Sequence, residues 1–236
     1  MSEIIKYRKH IPALTGLRGV AALIVLFHHF AQVFANFSEV FFNFSGFKYG
    51  FYGVDIFFIL SGFVIGYVHL EDFRVFVKKE FFRFALLRFF RIYPLHLAIL
   101  FFLFLFLFVF PPYLEFIIRE EPERFTVGNI LANILLVDNW GIVFFGHPWN
   151  GVSWTISLEI LAYIAFPFLA FFVNRIFSVR LCLVLVIGVL LGLGLFMLVT
   201  NNLDNNLKWR GGIIRIACEF SCGVILSRAY RLGFSS

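Results

Sequence analysis

The first hydrophobic segment of the chain, residues 11–34, is long enough to cross a lipid bilayer and yet contains ionisable side chains. It reads IPALTGLRGVAALIVLFHHFAQVF, with Arg18, His28 and His29 inside it. A spanning helix needs about 20 mostly apolar residues, and an ionisable group within it costs several kcal/mol unless it has a partner. The segment therefore predicts a membrane helix whose ionisable residues serve a function.

Two of these residues share one face of the predicted helix. Arg18 and His29 are eleven residues apart, which at about 100° per residue is three turns plus roughly 20°, with about 16 Å between them along the axis. His28 lies about 100° away from His29, so we expect it to face another surface and to have a structural role.

The composition predicts an integral membrane protein. The 236 residues are 61% hydrophobic and 14% charged, with a mean hydropathy of +0.91, whereas soluble domains are about 45–50% apolar and about 25% charged. The net charge of +6 comes from basic residues between the hydrophobic segments, a distribution that the positive-inside rule explains without a nucleic-acid partner. No metal or redox cofactor is indicated.

The predicted fold class is an all-α, polytopic transmembrane helical bundle of six to seven membrane segments, one of them re-entrant. Residues 71–91 are rich in Lys and Arg, which predicts a cytoplasmic loop, and the acidic residues 112–124 fit the outer side. Pro94 is expected in the first turn of the third helix, where no hydrogen bond is lost. Both termini are predicted to be cytoplasmic. The predicted crossings are residues 11–34, 50–70, 92–110, 154–173, 181–200 and 211–226, with an outer loop at 201–208.

The segment 126–145 leaves two alternatives. Its clean apolar run stops at Asp138 and Asn139 after about a dozen residues, fewer than the roughly 17–25 that a spanning helix needs. If it crossed, the later charge pattern would invert, with Arg175 and Arg180 outside. We favour a re-entrant or interfacial segment, which keeps both arginines cytoplasmic.

This topology places ionisable residues at two levels. His29, Asp55 and Glu159 each lie about five residues from a predicted outer helix end, about 7 Å below the outer boundary. Arg18, Arg88 and Arg91 lie toward the cytoplasmic ends. The pattern predicts a site that opens on both sides of the membrane. As alternatives, Asp55 and Glu159 only cap or bridge helices, and Arg88 and Arg91 are simple positive-inside charges.

Four stretches, in this order and spacing, resemble acyltransferase family 3, whose members are multi-pass membrane enzymes that O-acylate surface and secreted glycans, mostly in bacteria. The stretches are LTGLRGVAALIVLFHHF with Arg18 and His29, GVDIFFILSGFVI (53–65), RFFRIYP (88–94) and SWTISLEILAY (153–163). The resemblance covers nearly the whole chain.

The resemblance implies a membrane O-acyltransferase that moves an acyl group, usually acetyl, from cytoplasmic acyl-coenzyme A to a hydroxyl of a glycan or lipid-linked saccharide at the outer face. The resemblance also implies an enzyme that transfers groups other than amino-acyl groups. The implied location is the bacterial cytoplasmic membrane. The match assigns His29 as the catalytic residue and Arg18, Arg88 and Arg91 to binding of the donor, acetyl-CoA or another acyl-CoA.

Elementary chemistry agrees with these implied roles. Guanidinium groups form bidentate hydrogen bonds with phosphate oxygens, and the nucleotide end of coenzyme A carries such phosphates. A sugar hydroxyl needs a base near its proton, and an imidazole is well poised for that. Asp55 and Glu159 are the predicted catalytic carboxylates, Asp55 by orienting His29. Whether His29 acts as a general base or carries the acyl group is left open.

The chain ends near its seventh hydrophobic segment, whereas the family pattern usually continues through about ten helices. We therefore expect a single membrane acyltransferase-like domain, residues 1–236, that lacks the usual C-terminal helices. An inactive truncated remnant and a transporter-like membrane protein remain the alternatives. A transporter would more often show internal repeats, and no convincing repeat is present.

Overall fold

The computed structural model describes residues 11–35, 49–120, 122–140, 149–200 and 210–234, which form α-helices, short 3₁₀ turns and no strands. The all-helical fold class is confirmed. Two 3₁₀ turns, Leu70–Phe73 and Pro122–Phe125, lie between α-helices. The α-helices are α1 (Pro12–Ala35), α2 (Tyr52–His69), α3 (Lys78–Val109), α4 (Pro111–Glu120), α5 (Val127–Ile134), α6 (Trp154–Val173), α7 (Val179–Val199) and α8 (Arg210–Phe234).

Among the described residues, five helices are long and apolar enough to cross a membrane, namely α1, α2, α3, α6 and α7. They correspond to five of the six predicted crossings. The sixth, α8, is a helix of 25 residues, but Arg215, Glu219 and Arg228 interrupt its apolar character. The predicted outer loop at 201–208 lies outside the described residues.

The third helix differs from its prediction. It begins at Lys78 rather than near residue 92, so most of the predicted cytoplasmic loop is helical. Lys, Glu, Arg, Leu and Ala, which are frequent between 78 and 91, are good helix formers. The expectation that Pro94 lies in the first turn is therefore wrong, because Pro94 lies in the interior of α3.

The chain divides into two compact units that interleave along the sequence. Unit 1 comprises residues 1–71, 172–190 and 219–236, and unit 2 comprises residues 72–171 and 191–218. Unit 1 thus holds α1, α2 and the C-terminal part of α8, and unit 2 holds α3, α4, α5 and most of α6.

Glycine allows the helices of unit 1 to approach closely. A Cβ atom on Gly62 of α2 would collide with the backbone of Phe220, and one on Gly223 of α8 would collide with the backbone of Ile59. A Cβ on Gly53 would lie only 2.7 Å from Val25 Cγ2 of α1. Small residues drive such packing in membranes, where no hydrophobic force joins helices. Gly53 and Gly62 therefore permit this close helix approach.

Two arginines of α8 hold one end of unit 1 together. Arg228 is only 8% exposed, and its Nε and Nη2 donate to the carbonyl oxygens of Ile176 at 2.9 Å and Asn174 at 3.3 Å. Arg231 pairs with Glu71 at 2.9 Å. The end of α2, the α6–α7 connection and the end of α8 therefore meet at one end of the unit, as expected for segments on one side of a membrane.

Aromatic packing and a sharp turn shape unit 2. The rings of Phe73, Phe84 and Phe166 contact one another, with centroids 5.3 to 5.7 Å apart. Helix α5 has only eight residues, too few to span a bilayer. It ends where Leu136 adopts a positive φ of 56° and Val137 N–H donates to the Ala132 carbonyl oxygen at 2.9 Å, a Schellman-type C-cap. This part of the segment 126–145 is not a spanning helix, as we favoured.

Candidate functional site

His29 has a defined hydrogen bond on α1. Its side chain is exposed in the described structure, and Nδ1 lies 2.8 Å from the carbonyl oxygen of Val25. A carbonyl oxygen only accepts, so Nδ1 of the neutral ring carries the hydrogen and Nε2 keeps its lone pair. The helix backbone therefore holds the imidazole through Nδ1 and leaves Nε2 outside that hydrogen bond.

The neighbouring histidine faces a different surface, as its spacing predicts. His28 is 7% exposed, and its ring centroid lies 5.8 Å from that of Phe51, at the start of α2. Together with the contact between Gly53 and Val25, this places the beginning of α2 against the second half of α1. His28 thus belongs to the packing of α1 on α2.

Asp55 lies in the first turn of α2 and is half-buried. There its carboxylate complements the positive end of the helix dipole. Nδ1 of His29 is bonded to the Val25 carbonyl oxygen, and the orienting role and the further catalytic role of Asp55 stay predictions.

In unit 2, α3 and α6 border a groove of about 310 Å³, formed by residues between 81 and 89 and between 160 and 164. Arg88 lines it, and its guanidinium carbon lies 5.4 Å from the centroid of the Phe84 ring, within the range of a cation–π contact. Arg91, one turn further along α3, is exposed. Either guanidinium has the donors that a phosphate group requires.

Tyr163 links this groove to a predicted catalytic residue. It lines the groove, and its hydroxyl donates a hydrogen bond to Oε1 of Glu159, one helical turn earlier. The side chain of Glu159 is therefore held by a residue of its own helix. Helix α6 begins at Trp154, so neither Glu159 nor Tyr163 caps its N-terminus. The structure thus brings Arg88, Tyr163 and, through it, Glu159 to one place.

The remaining predicted residues are distributed over both units. Arg18, His29 and Asp55 lie in unit 1, and Arg88, Arg91 and Glu159 lie in unit 2. The common depth of His29, Asp55 and Glu159 and the joint action of the three arginines stay predictions.

Sequence reasoning missed a buried polar cluster in unit 2. Nε2 of His96 donates to the Asn133 carbonyl oxygen at 2.9 Å, and Nδ2 of Asn133 donates to Oγ of Ser153 at 2.5 Å. Oγ of Ser157 donates to the Leu136 carbonyl oxygen at 2.9 Å. His96 is 1% exposed, and both Asn133 and Ser153 are fully buried. The cluster fastens α5 and its following turn to α3 and to the start of α6.

A spacing signal for this cluster was present in the sequence. Asn129 and Asn133 are four residues apart, as are Ser153 and Ser157, so each pair lies on one helix face. Polar residues repeated at this spacing within an apolar segment indicate a buried hydrogen-bonded face. The hydrogen bond of His96 had no such signal, because its partner is a backbone carbonyl group, which no side-chain spacing reveals.

Asp138 is the acid of this cluster and is 6% exposed. Oδ2 accepts from Nδ2 of Asn139 at 3.2 Å and from Oγ of Ser153 at 3.4 Å. Burial raises the pKa of Asp138, and its hydrogen bonds and nearby His96 only partly offset that effect. The cluster therefore stabilises the protonated form of the Asp138 carboxyl group over its ionised form, compared with the same group in water.

Two further buried ionisable residues on α8 were also missed. Arg215 is 2% exposed and Glu219 is 4% exposed, four residues apart on the helix. Ionisable residues inside an apolar segment were the available signal, the same one that singled out Arg18 and His29. Within the described residues, no group of three His, Cys, Asp or Glu side chains could hold a metal ion.

Comparison with known proteins adds a family and two relatives. A family model described as an acyltransferase domain matches residues 11–236. The peptidoglycan O-acetyltransferase OatA of Listeria monocytogenes is 28% identical over 191 residues, which cover 77% of this chain and 28% of that protein. The acyltransferase MdmB of Streptomyces mycarofaciens is 32% identical over 165 residues, which cover 66% of this chain and 38% of that protein.

The chain spans between about a quarter and two fifths of the length of these curated relatives. No solved structure gives a significant match.

Proposed function

The chain belongs to the acyltransferase family whose domain model covers residues 11–236, and from this premise we propose that it is a membrane O-acyltransferase. It transfers an acyl group, most simply acetyl, from acyl-coenzyme A on the cytoplasmic side to a hydroxyl group of a glycan or lipid-linked saccharide on the outer side. The resemblance to a peptidoglycan O-acetyltransferase supports a cell-wall glycan as the acceptor.

The observation that carries this proposal is the 2.8 Å contact between Nδ1 of His29 and the Val25 carbonyl oxygen. Because Nδ1 donates to the Val25 carbonyl group at 2.8 Å, the lone pair of Nε2 is available to accept the proton of a sugar hydroxyl. The hydroxyl oxygen then attacks the thioester carbonyl carbon, the carbon–sulfur bond breaks, and the proton passes to the leaving thiolate. A new ester and free coenzyme A result.

The donor side of the proposal rests on arginine chemistry. Coenzyme A carries phosphate groups, and guanidinium groups bind phosphate oxygens in a fork at any physiological pH. Arg91 is exposed on α3 and Arg18 is half-buried on α1, and we assign both to the nucleotide end of the donor, together with Arg88.

The test is turnover of labelled acetyl-coenzyme A by membranes that contain the full chain or its His29→Ala variant, with thioester hydrolysis and label transfer to glycan both scored. We expect a loss of at least about 10²-fold in the variant, since general base catalysis contributes about 10²–10⁴-fold. A matched control is His28→Gln, which changes the adjacent imidazole. If the inserted chain and the His29→Ala variant are equally inactive, the acyltransferase proposal fails and an inactive or transport function becomes the explanation.

The same assay separates the two roles of His29. A general base leaves no label on the protein, whereas an acyl carrier accumulates labelled protein when donor is supplied without acceptor. We expect no protein-bound label that hydroxylamine releases. Its appearance in the wild-type chain, with loss in His29→Ala, would establish the carrier role instead.

A further inference from the structure

Contacts within unit 2 show that α3 and α6 run antiparallel beside each other. In the second turn of α3, the ring centroid of Phe84 lies 5.3 Å from that of Phe166 in α6. Further along α3, His96 bonds to the carbonyl oxygen of Asn133, whose side chain bonds to Ser153 directly before α6. The later part of α6 is thus near Phe84 and its beginning is near His96. These contacts define which levels of the two helices correspond.

The correspondence places Glu159 at the level of Arg91. Arg91 follows Phe84 by seven residues, and Glu159 precedes Phe166 by seven residues, so each lies about 10 Å along its helix from the contact between the two rings. Seven residues are two helical turns less about 20°, so Arg91 and Glu159 also lie on nearly the same helix faces as those two rings. Facing surfaces of α3 and α6 therefore carry a guanidinium group and a carboxylate at one level.

The groove between these helices connects Glu159 with the second arginine. Arg88 of α3 and Tyr163 of α6 both line it, and the hydroxyl of Tyr163 donates to Oε1 of Glu159. The accessible lining is apolar, so the groove itself is not a binding site for a phosphate group. Arg91 is exposed and lies outside that lining. Since Arg88 and Arg91 are three residues apart, they are neighbours on the surface of α3.

A carboxylate at this level has a physical reason. Guanidinium groups at neighbouring helix positions repel each other, and an ionisable residue in a membrane-spanning helix needs a partner. The half-buried carboxylate of Glu159 has the charge that offsets this repulsion. An acceptor for the hydroxyl of Tyr163 alone would not require a charge, because a neutral amide or hydroxyl oxygen also accepts.

We propose that Glu159, held by Tyr163, positions the guanidinium groups of Arg88 and Arg91 for the phosphates of the acyl-coenzyme A donor. Glu159 and Tyr163 are then positioning residues that act through the arginines. The inference rests on the proposed function, which assigns both arginines to the donor. The predicted helix ends put Glu159 near the outer boundary instead, so its place on the donor side belongs to this proposal.

The test is the dependence of turnover on donor concentration in membranes that contain the full chain. Tyr163→Phe removes only the hydroxyl and keeps the ring in the groove, and Glu159→Gln removes only the charge. We expect each change to raise the KM for acetyl-coenzyme A about tenfold, the effect of losing one hydrogen bond to a charged group, and to leave kcat within about twofold. The double variant should be no worse than Glu159→Gln alone, because Tyr163 acts through Glu159.

A second donor separates a positioning role from a purely structural one. Acetyl-pantetheine has the same thioester but no phosphate group, so its KM should be equal in the wild type and in both single variants. The matched control is Tyr93→Phe, which removes a hydroxyl from α3 and keeps a ring whose centroid lies 4.3 Å from that of Phe89. Its KM values for both donors should equal those of the wild type. If Glu159→Gln fails to insert, Tyr163→Phe with its control decides the question.

The outcomes distinguish this inference from the proposed function. A lower kcat with an unchanged KM would place Glu159 at the reacting atoms and overturn the positioning role. Equal rises in KM for both donors, or kinetics equal to the wild type, would leave Tyr163 and Glu159 a structural role and overturn it as well. In each of these cases turnover that is lost in His29→Ala still supports the proposed function. A wild-type chain without turnover would reject the proposed function and this inference with it.

Discussion

Helices α7 and α8 carry the same kinds of residue in opposite environments. Helix α8 buries Gly223 against the backbone of α2 and buries Arg228 against two carbonyl groups. Helix α7 carries Gly188 and Gly192, four residues apart, and a Cβ atom added at either position would meet nothing within 4 Å. Its Arg180 is exposed.

The difference shows that a small-residue motif or a basic residue does not by itself determine a contact. Gly188 and Gly192 have the same spacing as Gly62 and Gly66, yet only the pair on α2 is covered by another helix of unit 1. Close approach stabilises a helix pair only where the facing backbone is present to gain the dispersion contacts.

The largest effect is expected at the glycine contact. Gly223→Val places a branched side chain on the backbone of Ile59 and Phe63, which cannot move away as a flexible side chain would. Overpacking of this kind typically costs about 1–3 kcal/mol, and we expect the upper end of that range in the free energy of unfolding, measured in mixed detergent micelles. Gly192→Val, in open space, should stay within about 0.5 kcal/mol of wild type. Similar losses in both variants would remove the distinction between α7 and α8.

A smaller effect is expected at the buried arginine. Arg228→Ala leaves the carbonyl groups of Ile176 and Asn174 without these donors, at a cost of about 1–3 kcal/mol. Cleavage of the α6–α7 connection by a protease should accelerate in parallel. Arg180→Ala is the control, and as an exposed substitution it should change stability by less than about 0.5 kcal/mol.

The ion pair at the end of α8 should contribute less. The Arg231 and Glu71 side chains are 17% and 31% exposed, and such partly solvated pairs are worth about 1 kcal/mol or less. A double-mutant cycle with Arg231→Gln and Glu71→Gln measures this coupling. Arg231→Gln should be the costlier single change, because Arg231 also donates to the Gly66 and Tyr67 carbonyl oxygens. The reverse order would show that those backbone contacts contribute nothing.

When stability is measured at one pH, the smallest effect is expected at Asp138 in unit 2. Its surroundings are joined by polar contacts and not by close glycine contacts. Burial raises the pKa of Asp138 above its ordinary value of 3.8, so the folded state retains a proton that the unfolded state releases. This contribution to stability is complete below pH 3.8 and is lost as the pH rises through the raised pKa of the folded state. Asp138→Asn should abolish that part of the pH dependence of unfolding, and an unchanged pH profile in the variant would contradict the assignment.

The sequence was sufficient to predict the membrane class and the positions of α1, α2, α6 and α7. A long apolar run has few alternatives in a bilayer, because every backbone polar group must be satisfied within the helix. The start of α3 was predicted 14 residues too late, since charge indicated a loop where Lys, Arg and Glu continue the helix beyond the hydrocarbon core. Charge reports the side of the membrane and not the backbone conformation.

Contacts between distant segments could not be predicted in the same way. The spacing of His28 and His29 showed that they face different surfaces, but the hydrogen bond from His29 to Val25 and the burial of His28 near Phe51 became evident only in three dimensions. The same holds for His96, whose acceptor is a backbone carbonyl group 37 residues away. Every residue has such a carbonyl group, so no residue type or spacing identifies the one that folding brings into reach.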